Sequence, residues 1–356
     1  MTARDKTPVV IFGAGGYGGV GLVENLLQHP FIRLAALVSR EGAGRPYHEL
    51  YPHLKGRTDL VVEDAEGFAP EGRGRFVFFS TPDGVGQQHA RRFLDAGYRI
   101  IDFSGDFRFP DGATYARYAK RQKVAEKHHA EDLLAHAVYA CPELHRKELK
   151  KADIAGNPGC MAMGCLLALA PVLKARLVEP RSIICDVKTG ISGAGKKPQP
   201  AYHFPAALEN SYAYKIGRHQ HVIELERELT RLAGAEVTLD FTPHVIPASR
   251  GILSTCYARL THKAESKAIE NAYTGFCHRE PFVDVELSGR NLELHEVRGG
   301  NECRIAFHVS ERTATLVVVS VLDNLQKGQS GNAVQAMNIM LGFPETAGLD
   351  AVPRFP

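Results

Sequence analysis

A cysteine stands where the sequence predicts the start of a long helix. Cys160 ends the run Gly-Asn-Pro-Gly-Cys at residues 156–160, and an apolar stretch at 161–177 follows it. Unpaired N–H groups and the helix dipole lower the pKa of a thiol at a helix N-terminus. The same N–H groups can hold an oxyanion. Cys160 is therefore a candidate nucleophile, although a small buried hydrophobe fits the local sequence equally well.

A glycine-rich loop lies between the first predicted strand, residues 9–12, and the first predicted helix. Its sequence fits the pattern G-x-G-x-x-G, which dinucleotide-binding domains place against a pyrophosphate. Glycines permit the tight turn, and the helix N-terminus supplies N–H donors for the anion. The candidate cofactor-binding residues of the loop are Gly13, Gly15, Gly16, Tyr17 and Gly18. The alternative is a glycine-rich turn that binds nothing.

The residues after the second predicted strand indicate which dinucleotide is bound. NAD-binding domains usually carry an acidic residue there, which binds a ribose hydroxyl. This sequence has Ser39 and Arg40 instead. A hydroxyl and a guanidinium can pair with a 2′-phosphate, so we expect NADP(H) rather than NAD. The alternative is that Arg40 is a solvated surface charge.

The elements that must position these residues form two patterns. In the first part, short apolar strands alternate with helical stretches, which indicates βαβ units and a parallel sheet. These strands are predicted at 9–12, 33–38, 76–80 and 99–103, and the helices at 20–28 and 87–96. After Cys160, longer strands with few helices between them favour a largely antiparallel or mixed sheet. They are predicted at 182–188, 236–245, 251–260, 304–309 and 314–322.

Two helices complete this prediction. Pro171 should kink or break the helix at 161–177, and a last helix is expected at 333–341. The fold class is therefore α/β, with a Rossmann-type dinucleotide-binding domain and an α+β substrate and dimerisation domain whose sheet is mostly antiparallel or mixed. We expect the NADP-binding domain to comprise residues 1–158 with 325–356. The catalytic and oligomerisation domain would be residues 159–324.

Length and composition exclude several classes. The chain has 356 residues, which favours two domains. Its net charge of +3 does not indicate binding to nucleic acid or to a membrane surface. Seven cysteines without a C-x-x-C pair make a metal site or a disulfide framework unexpected. Neither a signal peptide nor a membrane-spanning run is expected, so we expect a cytoplasmic protein.

Several motifs occur in one order and together resemble a known family. They are residues 102–108 (Asp-Phe-Ser-Gly-Asp-Phe-Arg), 156–160, 192–195 (Ser-Gly-Ala-Gly), 250–253 (Arg-Gly-Ile-Leu), 323–328 (Asp-Asn-Leu-Gln-Lys-Gly) and 342–346 (Gly-Phe-Pro-Glu-Thr). This set resembles the N-acetyl-gamma-glutamyl-phosphate reductases of arginine biosynthesis, and aspartate-semialdehyde dehydrogenases share the layout. The resemblance covers residues 9–349.

The resemblance implies a reaction and its residues. Cys160 would form a thioester with the acyl group, and NADPH would reduce it. The segment His219-Gln220-His221-Val222-Ile223-Glu224 would supply an acid/base, for which we favour His219, with His221 and Glu224 binding substrate. Which histidine does which remains open.

Further residues take roles from the same resemblance. Arg108 would assist the departing phosphate, since a guanidinium suits that anion, and Asn157 would also bind substrate. Residues expected beside the nicotinamide half of the cofactor are Ser192, Gly193, Gly195 and Asn324. The partners implied are an acyl phosphate, inorganic phosphate and further copies of the chain, as a homodimer or homotetramer.

Two departures from the family pattern concern the acyl group. Met161-Ala162-Met163 replaces the Tyr-Pro-Thr-like run that usually follows the cysteine, and Gln220 stands where the histidine motif usually has arginine. The same chemistry on aminoadipyl phosphate in lysine biosynthesis, or on aspartyl phosphate, therefore stays open. A different class is a non-catalytic NADP-binding regulator. Such a protein would need none of Cys160, His219 and Arg108.

Overall fold

The structure, a computed structural model, describes residues 6–261 and 265–355. Two compact units divide the chain: Met1–Pro158 with Gln329–Asp350, and Gly159–Gly328 with Ala351–Pro356. The sequence analysis placed residues 325–328 and 351–356 with the first domain, whereas these contacts group them with the second unit. Residues 1–5 and 356 of the predicted domains lie outside the described residues.

The first unit contains a seven-stranded sheet in which all neighbours are parallel. Its strands are β1 (Thr7–Phe12), β2 (Ile32–Val38), β3 (Val62–Glu63), β4 (Phe76–Phe79), β5 (Arg99–Asp102), β6 (Ala137–Tyr139) and β7 (Ile154–Gly156). Their order in the sheet is β3-β2-β1-β4-β5-β7-β6. The order reverses beside β1, and such a switch point opens a crevice at the carboxyl ends of the strands. The glycine loop follows β1 and lies at this point.

The strands of this sheet are apolar because both of its faces are buried. Val9, Val10 and Ile11 of β1 are fully buried, as is all of β4, Phe76–Phe79. Continuous apolar runs of this kind are typical of parallel strands covered on both sides. The helices of the unit are α1 (Tyr17–Leu27), α2 (Tyr47–Leu50), α3 (Val85–Asp95), α4 (Gly112–Gln122), α5 (Pro142–Leu149) and α10 (Gly331–Leu341). The last helix packs against α1 and α5, so a distant part of the chain completes the unit.

The second unit contains a mixed seven-stranded sheet. Its strands are β8 (Ile183–Thr189), β9 (Tyr212–Ala213), β10 (Leu239–Val245), β11 (Ile252–Arg259), β12 (Val283–Glu286), β13 (Cys303–Ser310) and β14 (Thr315–Leu322). In the order β12-β13-β14-β11-β8-β10-β9, the β12–β13 and β8–β10 pairs are parallel and the other neighbours are antiparallel. The α/β fold class with a mixed second sheet is therefore confirmed.

The helices of the second unit cover one face of this sheet. They are α6 (Cys160–Lys174), α7 (Phe204–Ala207), α8 (His221–Ala233) and α9 (Ser266–Cys277). Every residue of α6 from Met161 to Leu173 is buried, and the helix packs against β11, β14 and α8. A helix that is apolar all round belongs in a core.

The break expected at Pro171 does not occur, because α6 continues to Lys174. Pro171 lacks the N–H that would bond Leu167 O, but the buried helix packs against β11, β14 and α8, which holds its last turn in place. The two longer helices between the strands of the second sheet are α8 and α9.

We expect Gly19→Ala, in α1, to destabilise the protein. A Cβ at this position would lie 2.6 Å from both Ala14 Cα and Gly13 O, which are main-chain atoms that cannot swing aside. Overpacking of this kind costs about 1–3 kcal/mol of unfolding free energy. Thermal and urea unfolding followed by circular dichroism would measure the loss.

Gly275→Ala in α9 is a matched control. Gly275 also lies within a helix, but it is exposed, whereas Gly19 is buried. No atom of the described residues lies within 4 Å of a Cβ built there. Alanine has a higher helix propensity than glycine, so this variant should gain up to about 1 kcal/mol of unfolding free energy. Equal effects of the two substitutions would contradict the proposed close approach of α1 to the glycine loop.

Candidate active site

Cys160 is the first residue of α6 in the second unit. Its N-cap, Gly159, has extended backbone and no side chain that could cap the helix. The N–H groups of the first turn therefore have no intrahelical partner. Cys160 is partly exposed, whereas the six other cysteines are buried. A Cβ at Gly328 would lie 2.9 Å from the Cys160 Cβ, so only glycine fits beside the thiol.

Glu224 and His221 lie directly behind the turn that leads into Cys160. Glu224 is fully buried, and its Oε2 accepts a hydrogen bond of 3.1 Å from Gly159 N. His221 Nε2 lies 3.8 Å from Glu224 Oε1. A Cβ at Gly159 would lie 2.2 Å from His221 Nε2 and 2.6 Å from Glu224 Oε1. These two side chains, predicted to bind substrate, therefore buttress the main chain of the turn.

His219, the residue favoured as acid/base, is buried and has a defined hydrogen bond. Its Nδ1 accepts from His221 N at 3.2 Å, and the two rings meet edge to face with centroids 4.5 Å apart. An Nδ1 that accepts leaves the proton of the neutral imidazole on Nε2. His219 can therefore donate a hydrogen bond through Nε2–H to an oxygen that gains negative charge.

Tyr214 is a residue near the thiol that the sequence analysis missed. Burial raises its pKa, and a negative charge on Cys160 raises it further. Its ring packs edge to face against His219, with centroids 5.7 Å apart, and its hydroxyl lies 3.9 Å from Met161 Sδ. The phenol therefore stays a proton donor. No motif marks it, because it lies in the connection after the short strand β9.

The residues predicted beside the nicotinamide meet in the second unit. Asn324 is buried; its Oδ1 accepts from Gly251 N at 2.8 Å and its Nδ2 donates to Ser192 Oγ at 3.0 Å. Gly193 and Gly195 are exposed in the same short segment, and Gly195 has a positive φ of 79°. The amide of Asn324 thus fixes the loop that carries them.

The glycine loop in the first unit has the geometry of an anion site. Gly13 has a φ of 97°, and a Cβ there would lie 2.3 Å from Ser80 O. Gly16 is the N-cap of α1 and has no side chain that could cap the helix. A Cβ built on Gly16 would meet no described atom within 4 Å. Open space and a helix N-terminus lie together, which fits a bound pyrophosphate.

The other loop glycines keep neighbouring side chains close. A Cβ at Gly18 would lie 2.6 Å from Ser80 Oγ, and one at Gly15 would lie 2.8 Å from Ser39 Oγ. Tyr17, the first residue of α1, is half-buried. The structure therefore brings Ser39 directly against the loop.

Arg40 lies on the surface beside this loop. Its side chain is 81% exposed, and Nη2 lies 3.6 Å from Glu66 Oε1 on an equally open side chain. Such exposed pairs contribute little, so the guanidinium can exchange its partner for a phosphate. Glu41 adds an acid that the sequence analysis did not weigh, since its Oε2 would lie 3.4 Å from a Cβ on Gly15.

Asn157 and Arg108 are joined in the first unit. Arg108 is buried; its Nε donates to Asn157 O at 2.7 Å and its Nη2 to Phe103 O at 2.8 Å. The Asn157 side chain donates to Gln329 O at 3.1 Å and accepts from Asn332 Nδ2 at 2.8 Å. Both side chains, predicted to bind substrate, hold the main chain just before residue 158.

Two buried carboxyls, Asp102 and Asp106, fix the loop that carries Arg108. Asp106 accepts from Gly84 N at 2.9 Å and from Gln87 N at 3.2 Å, so it caps α3 from outside the helix. Burial raises the pKa of Asp106 to about 6, against those hydrogen bonds. Burial and the neighbouring charge of Asp106 raise the pKa of Asp102 well above its ordinary value. Asp102 therefore keeps its proton to higher pH than an exposed carboxyl does.

One group among the described residues could offer three metal ligands. Cys165, Cys185 and Cys256 place their Sγ atoms within 4.8 Å of one another, and all three are fully buried. Hydrogen bonds between the thiols, together with burial, raise the pKa of Cys185 and of Cys256, and the same hydrogen bonds lower the pKa of Cys165. Cys256 Sγ donates to Cys185 Sγ at 3.7 Å, so these thiols bond to one another inside the core.

The search for membrane segments covered the same residues. Among them, no helix combines the length and the apolar character needed to span a bilayer.

Comparison with known proteins covers nearly the whole chain. Residues 8–152 match the family model described as semialdehyde dehydrogenase, NAD binding domain, and residues 160–324 match its dimerisation domain. A curated N-acetyl-gamma-glutamyl-phosphate reductase of Geobacter metallireducens is 40% identical over 349 residues, 98% of this chain and 99% of that protein. One of Pelotomaculum thermopropionicum is 42% identical over 348 residues, with the same coverage.

The chain belongs to the N-acetyl-gamma-glutamyl-phosphate reductase family. The resemblance found in the sequence is thereby confirmed, and with it the class of NAD(P)-dependent oxidoreductase.

Solved structures place this reductase family chain among semialdehyde dehydrogenase folds. The Vibrio cholerae aspartate semialdehyde dehydrogenase II, complexed with ASA, has a TM-score of 0.72 at 16% identity and covers 95% of this chain and 98% of its own. The Candida albicans enzyme, solved with NADP, has a TM-score of 0.69 at 14% identity, covering 94% and 98%. At such identities the likeness concerns the fold.

We expect Asp102→Asn to flatten the pH dependence of stability in this reductase family member. An unfolded Asp102 loses its proton above about pH 4, whereas the folded carboxyl, with its raised pKa, keeps it. The folded state then binds more protons, so wild-type stability falls as the pH rises from about 4 towards that raised pKa. As the pH rises, the unfolding free energy of the variant should increase relative to that of wild type by up to about 1.4 kcal/mol per pH unit. Urea unfolding between pH 4.5 and 8 would measure it.

Asp132→Asn is the matched control. Asp132 is exposed, and its ion pair with Arg91 lowers the pKa of the carboxyl. The stability from that pair is present above the ordinary pKa of the carboxyl and is lost only at lower pH. The unfolding free energies of Asp132→Asn and wild type should therefore differ by a constant amount across this range. Parallel curves for Asp102→Asn and wild type would show that the buried carboxyl is ionised.

Proposed function

We propose that this protein reduces N-acetyl-gamma-glutamyl phosphate with NADPH, giving N-acetylglutamate semialdehyde and inorganic phosphate in arginine biosynthesis. The observation that carries the proposal is the match, at about 40% identity and over nearly the full length, to proteins of that name. Cys160 at the uncapped start of α6 supports the chemistry.

The first step is attack of the Cys160 thiolate on the acyl carbon. A C–S bond forms and the C–O bond to phosphate breaks, which leaves a thioester and inorganic phosphate. The dipole and the N–H groups at the start of α6 stabilise the thiolate and then the oxyanion of the tetrahedral intermediate. Glu224 holds Gly159 N, so the turn keeps Cys160 at the helix end.

The second step reduces the thioester to the aldehyde. NADPH, when bound, supplies the hydride. Nε2–H of His219 donates a hydrogen bond to the oxygen that gains negative charge when the thioester is reduced; this oxygen re-forms the carbonyl as the C–S bond breaks, which returns the Cys160 thiolate. Because Nδ1 accepts from His221 N, the ring proton stays on Nε2, which supports His219 rather than His221 as the residue that acts on this oxygen.

Arg108 is proposed to stabilise the departing phosphate. A guanidinium presents a planar set of donors that matches phosphate oxygens. Nε and Nη2 of Arg108 already donate to Asn157 O and Phe103 O, which fix the plane of the group. Rigid placement of a cation favours charge that develops during reaction.

The cofactor sites follow from the two loops. The residues of the glycine loop (Gly13, Gly15, Gly16, Tyr17 and Gly18) would take the pyrophosphate, and Ser39 and Arg40 the 2′-phosphate. Ser192, Gly193, Gly195 and Asn324 would take the nicotinamide half. Aminoadipyl and aspartyl phosphates remain alternative substrates, and Met161 and Tyr214 are the side chains near Cys160 that would select among them.

Oligomerisation and location complete the proposal. The face of the second sheet opposite α6 carries half-buried Tyr257, Val317 and Val319, and a second copy covering this face would give the homodimer or homotetramer. The matching family model is described as a dimerisation domain, which supports this. None of the seven cysteines, all within the described residues, forms a disulfide, which suits the reducing cytoplasm.

We expect Cys160→Ser to lose turnover by roughly 1,000-fold or more, because a hydroxyl at this helix end is a far weaker nucleophile than a thiolate. The reverse reaction checks it: N-acetylglutamate semialdehyde, phosphate and NADP, followed by absorbance of NADPH. Aspartate and aminoadipate semialdehydes, run in parallel, identify the acyl group.

Cys277→Ser is the control, since Cys277 is a buried thiol of α9 that takes no part in the scheme. It should keep full activity, and Cys160→Ser should keep its affinity for NADPH. Undiminished turnover of Cys160→Ser would refute the thioester. NADPH binding by wild type without turnover of any semialdehyde would favour the non-catalytic regulator.

We expect Arg40→Ala to raise the KM for NADPH about 10-fold and to leave the KM for NADH unchanged, because a charge-assisted hydrogen bond is worth roughly 1.5–3 kcal/mol. Arg45→Ala is the control, since Arg45 is exposed and paired with Glu49 in the same unit. The same preference for NADPH in wild type and Arg40→Ala would remove Arg40 from the 2′-phosphate site.

A further inference from the structure

Two tyrosines hold the main-chain carbonyls of the glycine loop. Tyr47 is the first residue of α2, and Tyr51 is the residue that ends that helix. The hydroxyl of Tyr47 donates to Ala14 O at 2.8 Å, and that of Tyr51 donates to Gly15 O at 3.0 Å. Two successive peptide groups of the loop are therefore anchored from the same segment.

Because the peptide group is planar, a hydrogen bond that fixes its carbonyl also fixes the direction of the N–H on the opposite side of the loop. In a trans peptide, the carbonyl of one residue and the N–H of the next point in opposite directions. A phenol that fixes Ala14 O also aims Gly15 N–H away from α2, and one that fixes Gly15 O aims Gly16 N–H the same way. Gly16 N donates to Gly13 O in a long contact of 3.5 Å, and a Cβ on Gly16 would meet no described atom within 4 Å, so the loop leaves room beside these N–H groups for an anion.

The tyrosines are themselves well held. Tyr47 is fully buried, and its main-chain N–H donates to Leu60 O at 2.8 Å. The two rings pack with centroids 5.3 Å apart, and Tyr51 N donates to Tyr47 O at 3.2 Å. On the far side of the loop, Gly13 N and Ala14 N both donate to Val38 O. The loop is thus clamped from two sides before any ligand arrives.

The phenol of Tyr47 also remains a donor at any ordinary pH. Burial raises the pKa of Tyr47, and Tyr51 raises it further. Without a phenol, the carbonyl of Ala14 would lose its hydrogen bond inside the fold, and the peptide would rotate to find another donor. That rotation would swing Gly15 N–H away from the ligand side.

We propose that Tyr47 and Tyr51 are positioning residues for the pyrophosphate of the dinucleotide, acting through the peptide groups of Ala14, Gly15 and Gly16. The proposal rests on the dinucleotide binding proposed above. It assigns the two side chains a role in affinity without contact to the ligand.

The test compares Tyr47→Phe, Tyr51→Phe and the double variant in binding assays on the full-length protein. Three probes are titrated: NADPH, 2′-phospho-ADP-ribose, which keeps the pyrophosphate, and adenosine 2′-phosphate, which lacks it. Each single variant should raise the Kd for the first two probes about 5- to 10-fold, and the double variant should raise it further. The Kd for adenosine 2′-phosphate should stay at the wild-type value.

Tyr98→Phe is the matched control. Tyr98 is buried in the same unit, and its hydroxyl donates to the main-chain carbonyl of Pro70 at 2.8 Å. It should lose a hydrogen bond of the same kind with no change in any Kd. If Tyr47→Phe does not fold, Tyr51→Phe decides alone, because Tyr51 is only half-buried.

Two outcomes would overturn the proposal. One is an unchanged Kd for NADPH in a folded Tyr51→Phe variant. The other is an equal loss for adenosine 2′-phosphate, which would mean general damage to the domain. Failure of the wild type to bind NADPH or 2′-phospho-ADP-ribose at all would instead overturn the proposed cofactor.

Discussion

The hydrogen bond from Gly159 N to the buried carboxylate of Glu224 is the constraint on which the proposed chemistry depends. A carboxylate without solvent is costly unless main-chain or side-chain groups satisfy it, so Glu224 and the turn stabilise each other. The turn must be glycine because His221 and Glu224 occupy the space of any side chain there. The result is a cysteine fixed at a helix end, with the first N–H groups left for a ligand.

The same device occurs in the first unit. The N-caps of α1 and α6 are Gly16 and Gly159, which have no side chain that could cap the helix. A serine or aspartate at either position would stabilise the helix by binding its N–H groups, and would also compete with a ligand for them. In the proposed function, both glycines exchange helix stability for anion binding, of a pyrophosphate in one unit and of a thiolate and an oxyanion in the other.

Features encoded over a few residues could be predicted from the sequence. The strand before Gly13, the glycine loop and the helix starting at Cys160 each follow from local apolar runs and glycines. The hydrogen bond between Gly159 N and Glu224 could not be predicted in this way, because Glu224 lies 65 residues further along the chain. Asn157 is a similar case: the resemblance implied that it binds substrate, and the partners of its amide, Gln329 O and Asn332 Nδ2, lie far away in sequence.

Buried charge was the other limit on prediction. Asp102 and Asp106 were recognised only as letters of a motif, since nothing local shows that both become buried beside the first turn of α3. The sign of their pKa shifts depends on that burial outweighing the N–H donors, and neither quantity can be read from spacing. Cys160 differs from these two carboxyls, because its neighbours in sequence already indicate that it lies at a helix end. A thiol is reactive where the fold leaves N–H groups uncapped and inert where the fold removes water, as it does around Cys165, Cys185 and Cys256.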